Sequence, residues 1–200
     1  MAAKDGDIVL DYRSPDGERI THIRSTLISS SVQTLKTLGF LERYLRALPR
    51  SHHDAMLAPR APGWLTEDEA AIHYTACDDM KLSEPELELM SQTVAKAVGS
   101  ALLATFTRST RSVEAEPWLA FAQTERLFSR LNQGGAIRVT RRAANEAVFE
   151  VRGGSLYAIP YYELGHHALL RASALLFSST AHARTIYAAE RLHRTLLFWT

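Results

Sequence analysis

The stretch from Pro117 to Gly154 constrains the fold most, because within it the hydrophobic period changes from that of a helix to that of a strand across a pair of glycines. Pro117 suits a first helical turn, where its missing N–H costs nothing. From Trp118 onward Phe121, Ala122, Phe128 and Leu131 recur at helical spacing, with Gln123, Glu125, Arg126 and Arg130 in other directions. Asn132, Gln133, Gly134 and Gly135 end the pattern near Gly134. The period then falls to two, with Ile137 and Val139, then Ala147, Phe149 and Val151, alternating against polar or outward residues. This predicts a hairpin. Its loop, about Arg141 to Asn145, lacks an Asn-Gly pair, so a longer loop is expected over a tight turn. Gly153 and Gly154 release the second strand; Leu156, Tyr157 and Ile159 extend the sheet, and Pro160 opens the next helix.

The remainder of the chain fits around this unit. Tyr161 to Ser178 reads as a helix with Leu164, Ala168, Leu169, Ala172, Leu175 and Leu176 on its apolar face, and Arg184 to Ala188 with Thr195 to Trp199 as a second hairpin around Glu190 to His193. Four antiparallel strands with helices on one side give an α+β class, preceded by a mostly helical N-terminal half. In that half, Ile8 to Arg13 and Arg19 to Arg24 flank the turn Ser14-Pro15-Asp16-Gly17 and read as a short hairpin. Thr26 to Leu48 reads as one or two helices around Gly39. Thr66 with Glu69, and Ser83 with Glu86, are capping-box signatures. The helix from Ser83 to Phe106 is expected to be the longest and most central, with Gly99, Ser100, Ala101 and Ala104 permitting close approach of another backbone. The chain is expected to be one globular unit, 1–200, with a helical half over 1–107 and an α+β half over 117–200. The polar run 108–116 is their connector.

Composition narrows the function classes. Lys+Arg of 23 against Asp+Glu of 22 gives no field that would draw nucleic acid or an anionic membrane. No run approaches the ~20 apolar residues of a membrane-spanning helix. Cys77 is the single cysteine, and the first residues carry acidic groups instead of a signal-peptide pattern, so a reducing, cytoplasmic setting is expected. There is no Gly-x-Ser-x-Gly, Walker loop or Gly-x-Gly-x-x-Gly, which leaves hydrolase and nucleotide readings without an anchor.

Three groups of residues carry possible chemistry. Glu69, His73 and Cys77 stand at i, i+4 and i+8 on one predicted helix and could supply metal ligands or a carboxylate, imidazole and thiol relay. The alternative is a half-buried helix whose cysteine packs as a small apolar residue. His166 and His167 open a hydrophobic helix about 100° apart, so one faces inward and could ligate haem or a metal. Arg138, Arg141, Arg142 and Arg152 gather on the first hairpin and read as a solvated face in preference to a phosphate site. Trp118, Phe121, Phe128 and Phe149, with Leu102 and Phe106 of the long helix, either fill a core or line a pocket for an apolar ligand.

The order Ser100-Ala-Leu-Leu, Pro117-Trp118, Arg126-Leu-Phe, Gly134-Gly135, Tyr161-Tyr162-Glu163-Leu164-Gly165 and the terminal Trp199 resembles a family of myxobacterial proteins of unknown function. More distantly, it is similar to the ligand-sensing domains of the 4-vinyl reductase and haem-nitric-oxide-binding type. That resemblance implies a small-molecule pocket or a protein partner, while the Tyr-x-Ser-x-Arg haem motif is not matched in this chain. The expectation is a cytoplasmic, non-enzymatic, sensor-like module, a homodimer that binds an apolar small molecule or a protein partner, with no cofactor named by the sequence. A metal- or haem-binding protein using Glu69, His73 and Cys77, or His166 and His167, is the alternative.

Overall fold

The central sheet is assembled from both ends of the chain. In the computed structural model, which describes residues 6–58, 62–93, 96 and 117–200, β1 (Asp7–Arg13) pairs antiparallel with β5 (Ala136–Ala143), which pairs with β6 (Glu146–Arg152). Then β6 pairs with β8 (Leu192–Trp199), and β8 with the edge strand β7 (Ala181–Ala189), giving the order β1-β5-β6-β8-β7. The sheet thus has five strands instead of the four expected. The extra one is β1, which does not fold back on residues 19–24 as a local hairpin. Its partner lies more than a hundred residues away, and the Gly134-Gly135 corner explains why. Gly135 donates its N–H to the Gly17 carbonyl (2.9 Å) and accepts from Ser14 (2.9 Å), and a Cβ at Gly134, whose φ is +85°, would lie 1.8 Å from the Arg19 carbonyl oxygen. Only glycine lets the turn after β1 press into this corner.

The opposite strand of the expected hairpin, β2 (His22–Arg24), instead joins β3 (Trp64–Thr66) and β4 (Asn132–Gln133) in a small second sheet. Around it run α1 (Ser25–Thr37), α2 (Leu41–Ala47), a 3-10 turn at Arg50–His52, α3 (His53–Leu57), and α4 (Glu67–Asp79). Two helices, α1 and α2, meet at Gly39, whose φ of +77° breaks the run as its position suggested. The Thr66–Glu69 capping box forms in both directions at the start of α4. Next, α5 is described over 84–93 and begins with the Glu86 carboxylate accepting from the Ser83 N–H and hydroxyl. The expected continuation to Phe106, its small-residue face and the connector 108–116 lie outside the described residues.

The Pro117 helix is divided by a non-helical Gln123 into α6 (Pro117–Ala122) and α7 (Thr124–Leu131). The β5–β6 loop is a tight turn at Ala144-Asn145 with a bulge between Arg141 and Ala143, because the bulge takes up the residue that a long loop would have held. Leu156–Ala158 is a 3-10 turn, not a strand, and Pro160 then opens α8 (Pro160–Ala174). Among the described residues no helix is long and apolar enough to cross a membrane.

Register across the sheet is pinned by one row of side chains. Asp11, Arg138, Glu150 and Arg194 are directly opposed from β1 through β8, and Arg194 reaches Tyr187 of β7, 5.4 Å from its ring. Burial works against the Glu150 carboxylate, but hydrogen bonds from Arg194 and Arg152 outweigh it and hold its pKa below the usual range. The other face, with Ile137, Val139, Phe149, Val151, Leu197 and Trp199, is buried under the helices. The mixed helices and antiparallel sheet confirm the α+β class.

Candidate functional site

Pro160 and the alternation of faces along α8 place two different chemistries side by side. Residues Tyr161, Tyr162, Gly165, His166, Leu169 and Leu170 look into a cavity of about 150 Å³ between the sheet and the helices. Glu163 and His167, one turn apart, look toward β7 and β8 instead.

The cavity wall is mostly apolar, with the hydroxyls of Ser31, Ser91 and Thr124 and the amide of Asn132 on residues that also line it. Phe121, Phe128 and Phe149, three of the expected pocket residues, line it together with Ile137, Val151 and Leu87. Trp118 does not line it: its ring packs on Phe121 (5.8 Å) and Trp199 (5.4 Å) with the Arg141 guanidinium 4.8 Å above, so it closes the end of the core. Leu102 and Phe106 lie outside the described residues. Gly165, in mid-helix, leaves open space where a Cβ would stand.

One polar atom in this wall has no partner. His166 Nε2 is buried without a hydrogen bond, and burial, followed by the neighbouring His167 and His193, drops its pKa from the ordinary value to about 3. The imidazole is therefore neutral at pH 7, and its Nε2 is an unused hydrogen-bonding atom on a residue of the cavity wall. Tyr157 packs edge-on against it, 5.1 Å between centroids, and also stacks on His193 at 4.7 Å. Burial raises the Tyr157 phenol well above its ordinary pKa and pushes Tyr162 to about 12, so these phenols stay neutral too.

The residues expected on α4 meet only in part. Glu69 is exposed and its carboxylate is spent on the N–H and hydroxyl of Thr66. His73 is fully buried, bonded to the Tyr44 hydroxyl through Nδ1 (2.9 Å) and to the Ser31 hydroxyl through Nε2 (3.0 Å), with Cys77 Sγ at 3.6 Å. Burial lowers the His73 pKa to about 3 and raises that of the Cys77 thiol, so neither an imidazolium nor a thiolate forms there. The i, i+4, i+8 pattern places the three on one helix but not around one point.

A second cluster, not anticipated from the sequence, does converge. Ligand atoms of Glu163, His167 and His193 all lie within 4.8 Å of one another, the only such group of three among the described residues. Thr185 Oγ1 sits among them, hydrogen-bonded to Glu163 and 3.1 and 3.3 Å from Nε2 of His167 and His193. Glu163 and His167 stood in the sequence at helical i, i+4 spacing, a usable signal. His193, expected in the turn of the last hairpin, lies on β8 and so faces the helix.

The arginines of the first hairpin are each engaged: Arg138 with Asp11 (2.7 Å), Arg142 with Glu146 (3.7 Å), Arg152 with Glu150 (2.6 Å) and Arg141 with Trp118.

No protein-family model and no curated protein matches this chain. Solved structures do. An Fe(II) unliganded H-NOX protein from K. algicida superposes with a TM-score of 0.62 at 11% identity, covering 89% of this chain and 97% of that one. An H-NOX structure from a study of haem distortion gives 0.56 at 12% identity over 88% and 94%. An oxygen-binding H-NOX domain related to soluble guanylate cyclases gives 0.52 at 13% identity over the same shares. At these identities the likeness speaks for architecture, and on that ground the chain has the H-NOX fold.

Proposed function

We propose that this chain is a non-enzymatic, sensor-like module whose cavity takes a compact, largely apolar molecule carrying one hydrogen-bonding group. The observation that carries the reading is the unpartnered Nε2 of His166, a residue of a mostly apolar wall. A buried polar atom without a partner costs on the order of 1–3 kcal/mol, and a ligand that pairs with it recovers part of that cost. Apolar cavities of about 150 Å³ hold benzene-sized molecules. A planar molecule such as indole matches both the volume and the single polar anchor. The solved structures with this fold include haem and oxygen binders by their own descriptions, which supports a ligand-sensing role.

Haem itself does not suit the described residues. The cavity is well below the ~300–1,000 Å³ of drug-sized sites, and a porphyrin belongs at the large end of that range. Among the described residues that line it there is no lysine or arginine to hold propionates.

The signal would leave through α8 to the hairpin β7–β8, where Ile186 and Tyr187 are exposed on the edge strand and a second copy or a protein partner would read it. The buried, free Cys77 suits a reducing, cytoplasmic setting. Calorimetric titration and thermal shift with indole and toluene test the reading. Both should stabilise the native chain. Gly165→Phe, which fills the cavity, should abolish both shifts, and His166→Leu should remove the preference for indole while keeping toluene. No shift with either compound, or shifts that survive Gly165→Phe, would overturn it.

A further inference from the structure

We propose that Glu163, His167 and His193 form a binding site for a divalent transition-metal ion of the zinc class, clamping α8 to the β7–β8 hairpin. The site stands apart from the cavity and from the cysteine-containing set on α4.

The geometry is the first argument. Two ligands come from one helical turn and the third from β8, so the site exists only when helix and sheet are docked. Glu163 Oε1 and His193 Nε2 are 3.9 Å apart, and His167 Nε2 lies on the other side of the shared Thr185 hydroxyl. Ligand atoms around a tetrahedral ion with bonds of ~2.0–2.2 Å are separated by about 3.3–3.6 Å, so a side-chain adjustment within one rotamer well closes the set. A bulge in β7 between Thr185 and Tyr187 interrupts the pairing with β8 beside the cluster.

Charge is the second. Glu163 has no lysine or arginine within ion-pair distance among the described residues, and its only such neighbour is His193. A carboxylate beside two imidazoles, with no lysine or arginine in reach, is a ligand set that a divalent ion completes.

Hydrogen bonding is the third. One hydroxyl proton cannot serve a carboxylate and two imidazoles at once, so Thr185 can donate to only one of the three, and Thr195 Oγ1, 3.1 Å from His193 Nε2, serves that ring alone. Nδ1 of His193 makes no hydrogen bond, which leaves Nε2, the atom facing Glu163, as the working end of that ring. Two imidazoles and one carboxylate favour zinc, cobalt or nickel over calcium or magnesium, which prefer oxygen ligands. Three protein ligands leave a position for water or for Thr185.

The test uses metal-free, tag-free full-length chain titrated with Co(II), followed by Zn(II) competition and thermal shift. The expected result is a visible d–d absorption band at one equivalent, displaced by zinc, with a raised Tm. Glu163→Gln and His167→Gln, both at the more open side of the site, should each weaken zinc binding by more than about 100-fold, since losing even an outer partner of a ligand costs ~10–100-fold. Cys77→Ser should bind as the native chain does. Absence of both band and Tm shift in the native chain, or zinc affinity unchanged in Glu163→Gln and His167→Gln, overturns the proposal. Because both variants are judged on folded protein by circular dichroism, misfolding is separated from ligand loss.

Discussion

Two buried histidines make the stability of this protein depend on pH. His73 and His166 each have a folded-state pKa of about 3, below the ~6.5 of an exposed imidazole. The unfolded chain therefore binds their protons first on acidification. Their contribution is fully present above about pH 6.5 and is lost as pH falls toward 3, by up to about 1.4 kcal/mol per pH unit per histidine. His73→Gln, which retains an acceptor and a donor between Tyr44 and Ser31, should lessen the slope of urea stability against pH between 6.5 and 4 by about one histidine's share. An unchanged slope would remove His73 from the account. The glycines make a sharper test of the corner that receives the N-terminal turn. Gly134→Ala forces a Cβ to 1.8 Å from a main-chain oxygen, whereas Gly17→Ala, also at positive φ, meets nothing within 4 Å. The first should cost more than about 2 kcal/mol and the second about 1, because only the first adds backbone overlap to the left-handed penalty. Equal losses in chemical denaturation would contradict the close approach. At this scale the sequence spoke through local rules: Thr66 with Glu69 announced a cap that forms. In the ladder Glu69, His73 and Cys77 the carboxylate is turned to the cap of α4, away from the buried His73 and Cys77.

Elements were legible where their signal was local. The change of period at Gly134-Gly135 identified β5 and β6 correctly, and Pro160 opened α8 at its first position. Pairing was less legible, because a strand's partner is decided by which exposed edge its apolar face can cover, not by the nearest turn. Ser14-Pro15-Asp16-Gly17 does turn the chain, yet β1 goes to β5, whose Arg138 meets its Asp11, and β2 goes to β3. Helix α8 shows the same limit in another way. Its apolar face was readable, but the separation of a cavity face from a ligand face depends on what stands opposite, and His193 arrives from β8. Gly165 is the anomaly along this helix. A glycine in a helix interior costs about 0.5–1 kcal/mol relative to alanine, and here no neighbour requires its small size. The space it leaves on the cavity side accounts for it. Gly165→Ala should accordingly raise stability by about 0.5–1 kcal/mol while weakening the binding of the largest aromatic probes. A loss of stability would mean that the cavity is narrower than its walls indicate.

Across the whole molecule, α8 is the shared wall of two sites. Its face toward the sheet core carries His166 and Gly165, and the adjoining face carries Glu163 and His167, which reach β7 and β8. Arg171, further along the helix, ties it to Glu88 of α5 (3.1 Å), so the same helix also contacts the helical layer. The H-NOX architecture thus sets a helix between a ligand cavity and the edge of the sheet. A metal that fixes α8 on the hairpin restricts the helix before the ligand arrives, and the ligand then loses less conformational freedom on binding. Coupling of this kind is reciprocal. Zinc should therefore tighten indole binding, and indole should tighten zinc binding by the same factor, on the order of fivefold. Calorimetric titration of each in the presence and absence of the other measures both arms of the cycle. In His167→Gln the dependence of indole affinity on zinc should vanish while indole binding itself persists, because His167 faces away from the cavity. Equal indole affinities with and without zinc in the native chain would show that α8 holds the two sites without connecting them.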